Sequence, residues 1–216
     1  MRTLVSLALV SVLAVPVRAQ HLAEACAALG KVTVGQWAEY KLTSPEIPGG
    51  SATMRLAIVG TEQAKGKDHY WYETSMAGPM GAMVMQMLIP GYPYDDQDIA
   101  RIIVKPGAQP AMELPASMLA MMPQGGGGES PARGAAENCD RATLAATESV
   151  TVPAGTFSTM KIVPTDAEAG DLWISAAVPF GIVRFSDRRG SAMELTAHGK
   201  DAKSSITETP QKMPGG

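Results

Sequence analysis

The chain is 216 residues long, with 45% hydrophobic, 18% charged and 5% aromatic residues. This length suits one domain, or one domain with tails, and the hydrophobic fraction excludes wholesale disorder. The net charge of −3 and the absence of any Lys/Arg block oppose nucleic-acid binding, which needs clustered positive charge. Methionine is unusually frequent, with 14 copies.

Residues 1–19 predict a secretory signal peptide. Arg2 supplies a positive start, and an apolar run follows over residues 4–15. That run is too short for a comfortable membrane span. We expect cleavage after Ala19, and a periplasmic or secreted protein.

The mature chain would contain two cysteines, Cys26 and Cys139. In an exported protein, a lone pair most simply forms one disulfide. A redox or metal role is the alternative, but no CxxC spacing or neighbouring histidine supports it.

A short helix is predicted over residues 21–29, because this segment is Ala-rich and ends at Gly30. From Gly35 onward apolar and polar residues alternate with period two, which is typical of β-strands. Glycine and proline clusters mark the turns between them. The strands predicted in the first half are 36–43, 52–60, 68–76, an extended segment that contains 83–88, and 98–105.

A second short helix is predicted over residues 115–122, and a flexible Gly-rich connection over 124–134. The second half predicts five further strands, over 142–152, 156–164, 170–176, 181–187 and 191–198. Residues 20–200 then form a single β-rich domain, and the polar, Pro/Gly-rich residues 201–216 predict a disordered tail.

These elements predict a mainly β fold. About nine or ten antiparallel strands must bury one face, and a curled sheet achieves this as an incomplete β-barrel. One or two short helices would pack on its concave face. Two helices are too few for an α/β parallel sheet.

The second half also resembles a known group of proteins. The resemblance lies in residues 149–157 (SVTVPAGTF), 160–162 (MKI), 171–175 (DLWIS) and 178–183 (VPFGIV). It covers roughly residues 143–199, with weaker similarity over 99–122. These segments resemble exported bacterial proteins of unassigned function that are similar to the outer-membrane lipoprotein carrier (LolA/LolB-like) superfamily. The resemblance implies an incomplete antiparallel barrel, an envelope location, and binding of acyl chains or lipidated partners.

The methionine-rich centre is the candidate site. Residues 74–94 contain no charged residue, and three of their methionines share one face of an extended segment. The hydrophobic face that we expect to bind a ligand comprises Met83, Met85, Met87, Leu88, Met118, Met121 and Met122. Three explanations of the clustered methionines stay open: they fill the core, they form an adaptable apolar surface for a ligand, or the thioethers of Met83, Met85 and Met87 bind Cu(I).

No feature of the sequence predicts catalysis. There is no GxSxG elbow, P-loop or dinucleotide fingerprint. His21, His69 and His198 are scattered, and no cofactor is expected. Asp95, Asp96 and Asp98 have calcium-like spacing, but they lack the closing glutamate and fit a solvated acidic turn better.

The sequence therefore predicts an exported, non-enzymatic module that binds a hydrophobic small molecule, an acyl chain or a lipidated protein in the cell envelope. Peripheral association with the envelope would fit this activity. The alternatives are a Met-rich periplasmic copper-binding protein and a structural or interaction protein without a ligand.

Overall fold

A computed structural model describes residues 26, 27, 29, 31, 33–91, 98–115, 143–163 and 170–213. The predicted signal peptide, the connection at 124–134 and, apart from Pro115, the helix at 115–122 lie outside this part of the chain. None of the described helical residues belongs to a helix that is long and apolar enough to cross a membrane.

The described residues form twelve strands in one sheet. In chain order they are β1 (Trp37–Thr43), β2 (Ser51–Ala64), β3 (Lys67–Gly78), β4 (Gly81–Ile89), β5 (Arg101–Pro106), β6 (Met112–Leu114), β7 (Thr143–Val152), β8 (Gly155–Val163), β9 (Asp171–Ile174), β10 (Ile182–Ser186), β11 (Ala192–Gly199) and β12 (Gln211–Lys212). The predicted mainly β fold is confirmed. The two strands beyond the predicted ten are β6 and β12, which are only three and two residues long.

The sheet is two meanders joined side by side. Its order is β12-β6-β5-β4-β3-β2-β1-β11-β10-β9-β8-β7, so β1 and β11 connect the two halves. Every pairing is antiparallel except the parallel pair of β12 with β6. The sheet does not close, because β7 and β12 remain as its two edges.

The sheet nevertheless curls. The backbone amide of Ala154, in the β7–β8 turn, donates to the carbonyl of Leu195 on β11 at 3.2 Å. The rings of Phe157 on β8 and His198 on β11 lie 5.8 Å apart. Since β9 and β10 separate β8 from β11 in the sheet order, these contacts require the β7–β8 hairpin to fold over.

The main core lies inside this curl, on what we call the concave face. One row of this face runs through directly paired residues of five strands: Ile58, Tyr72, Met87, Ile102 and Leu114. Four of the five are buried to 2% exposure or less. The same core cluster includes Val150 and Val152 of β7 at the far edge of the sheet, so it spans both halves.

A short N-terminal segment covers part of this core. Cys26, Ala27 and Leu29 are helical, and Leu29 is 1% exposed. Its side chain packs directly above Gly181, where a Cβ atom would overlap it. This agrees with the prediction of a short helix on the concave face.

The opposite face of the sheet, which we call the outer face, is polar and aromatic. The three tryptophans share one arrangement: a cation lies over each ring, and each indole N–H donates to a carboxylate. Trp37 pairs with Arg55 and Asp201, Trp71 with Arg101 and Glu62, and Trp173 with Lys161, Arg184 and Glu148.

The prediction of a disordered tail is wrong for residues 201–213, which form what we call the C-terminal strap. The strap crosses the outer face from β1 to β6. It buries Ile206 against Ile103 and Ala111, and it ends as β12. Specific side-chain bonds hold it to the sheet, and an overall polar composition gives no sign of such bonds.

Candidate functional site

The expected ligand-binding face centres on β4. Met83, Met85 and Met87 alternate along this strand and face the main core. Met85 and Met87 are buried, at 7% and 2% exposure, whereas Met83 is half-buried. The structure therefore brings these three together as the alternation predicted.

Leu88 does not belong to this face. It pairs directly with Trp71 on β3 and Arg101 on β5, both of which lie on the outer face. Its side chain is fully buried there. The prediction that Leu88 shares a face with the three methionines is therefore wrong. Side chains of a strand alternate between its two faces, so Leu88 faces away from its neighbour Met87.

Strand pairing adds methionines that the sequence did not group. Met76 on β3 pairs directly with Met83, and Met54 on β2 pairs directly with Met76. Met112 on β6 lies two strands from Met85, because both pair with Val104 of β5. Registers between strands bring these residues together, and periodicity within one strand cannot reveal registers.

The concave face becomes more exposed towards one end of the strands. Met54 is 4% exposed, while Met76 and Met83, the next two residues of the same cross-strand row, are only partly buried against the core. Just beyond them, the β3–β4 turn carries Met80, which is 85% exposed. The apolar surface thus continues from the buried core to the rim of the sheet.

A buried hydroxyl without a partner interrupts the apolar face. Tyr40 is fully buried, and its hydroxyl has no hydrogen-bond partner. Burial, and secondarily the nearby Tyr72, raises the pKa of the Tyr40 hydroxyl above its ordinary range. Tyr40 therefore stays neutral and carries an unused donor and acceptor in the core.

Among the described residues, the outer face offers no comparable apolar surface, because charges and the C-terminal strap cover its centre. Glu73 is fully buried there, and Gln86 Nε2 donates to it at 2.7 Å. Arg55 lies 3.7 Å from the same carboxylate. His69 also lies on this face, since it alternates with Tyr70 and Tyr72 of the core face.

Conventional metal donors do not converge in the part of the chain that the structure describes. No group of three or more His, Cys, Asp or Glu side chains occurs there. Asp98 is described and exposed, whereas Asp95 and Asp96 lie outside the described residues. The interpretation of these aspartates as a solvated acidic turn stays a prediction.

Several predicted site residues also lie outside the part of the chain that the structure describes. Met118, Met121 and Met122 are not among the described residues, and neither is Cys139. Cys26 packs against the main core, and no cysteine in the described ranges is free. The Cys26–Cys139 disulfide stays a prediction.

No family model matches this chain, and no curated protein does. Among solved structures, a protein of Parabacteroides distasonis provisionally called a lipoprotein is 15% identical, with a TM-score of 0.36, over 79% of this chain and 98% of that one. A Bacteroides fragilis protein provisionally called exported, with a YmcC-like fold, is 12% identical, with a TM-score of 0.35, over 78% and 97% of the two chains.

The complex of MucA and MucB from Pseudomonas aeruginosa is a further neighbour. It is 9% identical, with a TM-score of 0.38, and the match covers 87% of this chain and 59% of that one. TM-scores between 0.35 and 0.38 are too low to support a conclusion about this chain. The similarity to the lipoprotein carrier superfamily therefore stays a prediction.

Proposed function

We propose that the protein is an exported, non-enzymatic module that binds a hydrophobic ligand on its concave face. The ligand is an acyl chain, a lipid or the lipid group of a modified partner protein in the cell envelope. One observation carries the proposal. The apolar surface of the concave face is not fully buried: Met76, Met83 and Leu114 stay partly exposed beside a buried core.

The contrast between the two faces supports this choice. The outer face is crossed by the strap and lined with ion pairs such as that of Arg101 with Glu113, at 2.7 Å. Bringing an acyl chain there would strip water from charged groups at a high cost. The concave face gains from the same burial, by about 25 cal/mol for each Å² of apolar surface removed from water.

The chemistry of methionine supports an adaptable site. Its side chain is unbranched and polarisable, so it repacks around ligands of different shape. Met76 and Met83 are directly paired on neighbouring strands. Their movement would widen the exposed end of the face without breaking the ladder of backbone hydrogen bonds.

A binding assay with a fluorescent fatty acid tests the proposal on the mature protein. We expect saturable binding and displacement by unlabelled fatty acid. Met83→Lys and Met76→Lys should each weaken binding at least tenfold, because each puts a charge on the apolar surface. Met83→Leu should keep binding, since leucine preserves the volume and the apolar character.

Met80→Lys is the matched control. It introduces the same charge on the exposed turn, three residues from Met83 and four residues from Met76, so binding should stay within about twofold of the wild type. A wild-type protein that binds no fatty acid and emerges free of lipid in native mass spectrometry would refute the proposal. Equal weakening by Met80→Lys would move the site to the turn.

A further inference from the structure

A row of methionines crosses three adjacent strands of the concave face. Met54 pairs directly with Met76, and Met76 pairs directly with Met83. Directly paired residues project from the same face of a sheet, and neighbouring strands lie about 4.8 Å apart. The three flexible side chains can therefore direct their sulfur atoms at a single point between them.

The row is closed at one end and open at the other. Tyr40 pairs with Met54 and is fully buried, and Met54 itself is 4% exposed. Met76 and Met83 are half-buried, so an ion from solvent reaches the row through them. Pro106, the partner of Met83 on β5, ends the row.

The donors in this row are neutral and soft. Thioethers bind soft, monovalent copper, whereas harder divalent ions prefer carboxylate, carbonyl and imidazole ligands. Neither described histidine pairs within the row: His69 of β3 lies on the outer face, and His198 of β11 pairs with Ala38 and lies against the ring of Phe157. From this geometry we propose that Met54, Met76 and Met83 form a three-thioether binding site for Cu(I).

This site differs from the set expected from sequence. Met83, Met85 and Met87 follow one another along β4, so neighbours in that set are about 6.6 Å apart and its ends about 13 Å apart. Met87 is also 2% exposed. The cross-strand set is more compact and more accessible, and it shares only Met83 with the earlier one.

An anaerobic titration with Cu(I) against a chromophoric Cu(I) chelator tests the site. The wild type should take up one equivalent. Met54→Leu, Met76→Leu and Met83→Leu should each weaken Cu(I) binding at least tenfold, because each removes one soft ligand while keeping volume and apolar character. Met87→Leu is the matched control, and it should leave binding unchanged.

A second measurement locates the ion directly. Methionine methyl groups labelled with carbon-13 are followed by NMR during addition of Ag(I), a redox-inert analogue of Cu(I). The signals of Met54, Met76 and Met83 should shift together, while that of Met193 on β11 should not. Absence of Cu(I) uptake, equal weakening by Met87→Leu, or shifts confined to other methionines would each overturn the assignment.

Discussion

The hydroxyl of Ser205 donates a 2.7 Å hydrogen bond to the buried carboxylate of Glu73, across 132 residues of sequence. The backbone amide of Ser205 donates to the other carboxylate oxygen at 2.9 Å. Gln86 supplies a third donor at 2.7 Å. A fully buried charge is tolerated when its oxygens are bonded in this way, so the strap and the outer face of the sheet depend on each other.

Removing this hydroxyl should cost stability. A hydrogen bond to a charged group contributes about 1.5–3 kcal/mol, so we expect Ser205→Ala to lower the free energy of unfolding by that amount. Urea denaturation followed by circular dichroism measures it. Ser158→Ala, on an exposed position of β8, is the control and should change stability by less than about 0.5 kcal/mol. Equal effects of the two substitutions would show that the bond is unimportant.

Deleting the strap provides a stronger test. A chain that stops after Lys200 loses Ile206 from its contact with Ile103 and Ala111, and Glu73 loses both bonds to Ser205. We expect a loss of about 3 kcal/mol or more, from burial of the isoleucine and from the broken polar cluster.

Hydrogen exchange shows where the deletion acts. Protection should fall in β3, β4 and β5, which lie beneath the strap, and should stay unchanged in β8 and β9. Unchanged stability and exchange would support the disordered tail that composition predicts.

The ten longer strands could be predicted because each combines alternation with flanking turn residues. β6 and β12 could not, since three and two residues are too few to show a period. The strap was missed for a different reason. Its attachment depends on particular long-range pairs, such as Lys105 with Glu208 at 2.7 Å, and composition carries no information about them.

The candidate site was predictable only as far as alternation within one strand reaches. Alternation placed Met83, Met85 and Met87 on one face, and pairing within the sheet confirms it. The neighbours Met54 and Met112 come from other strands, so only the registers of β2, β3 and β6 reveal them. The sequence shows which residues share a strand face but not which strand lies beside it.

Acid should weaken the outer face. Hydrogen bonds from Arg101 hold the pKa of Glu113 below its ordinary value of 4.5. A carboxylate with a lowered pKa stabilises the fold above its unfolded pKa, and this contribution disappears as pH falls through the folded value. We therefore expect the stability supplied by Glu113 to be complete near neutrality and to be lost below about pH 4.5.

The free energy of unfolding, measured between about pH 3 and pH 7, tests this pH dependence. Glu113→Gln should lower stability at neutral pH and reduce the loss on acidification, because the titrating group is gone. Glu46→Gln, in the exposed β1–β2 turn, should leave the pH profile of the wild type intact. An acid limb unaltered in Glu113→Gln would assign the loss to other groups.

The predicted disulfide has a direct test. A bridge between Cys26 and Cys139 would close a loop of about 113 residues and stabilise the fold by about 4–5 kcal/mol through chain entropy. We expect no reactive thiol in the unfolded, unreduced protein, and a lower melting temperature after reduction. Two reactive thiols and no change in mobility on a non-reducing gel would refute the pairing.

The contact of Gly181 with Leu29 determines how the N-terminal segment covers the core. Gly181 has a φ of 71°, and an added Cβ would overlap the Leu29 side chain. Gly181→Ala should therefore cost about 1–2 kcal/mol for the left-handed backbone, with a further cost for displacing Leu29. Gly66→Ala isolates the first contribution, because Gly66 has a φ of 77° and open space around it.

A double-mutant cycle separates the second contribution. If overlap with Leu29 is the cause, Leu29→Ala should remove the excess cost of Gly181→Ala over Gly66→Ala, since no leucine then remains to be displaced. Hydrogen exchange in the N-terminal segment should rise in Gly181→Ala and stay unchanged in Gly66→Ala. Equal costs for the two glycine substitutions would mean that Leu29 moves aside freely, and that this cover over the concave face opens easily.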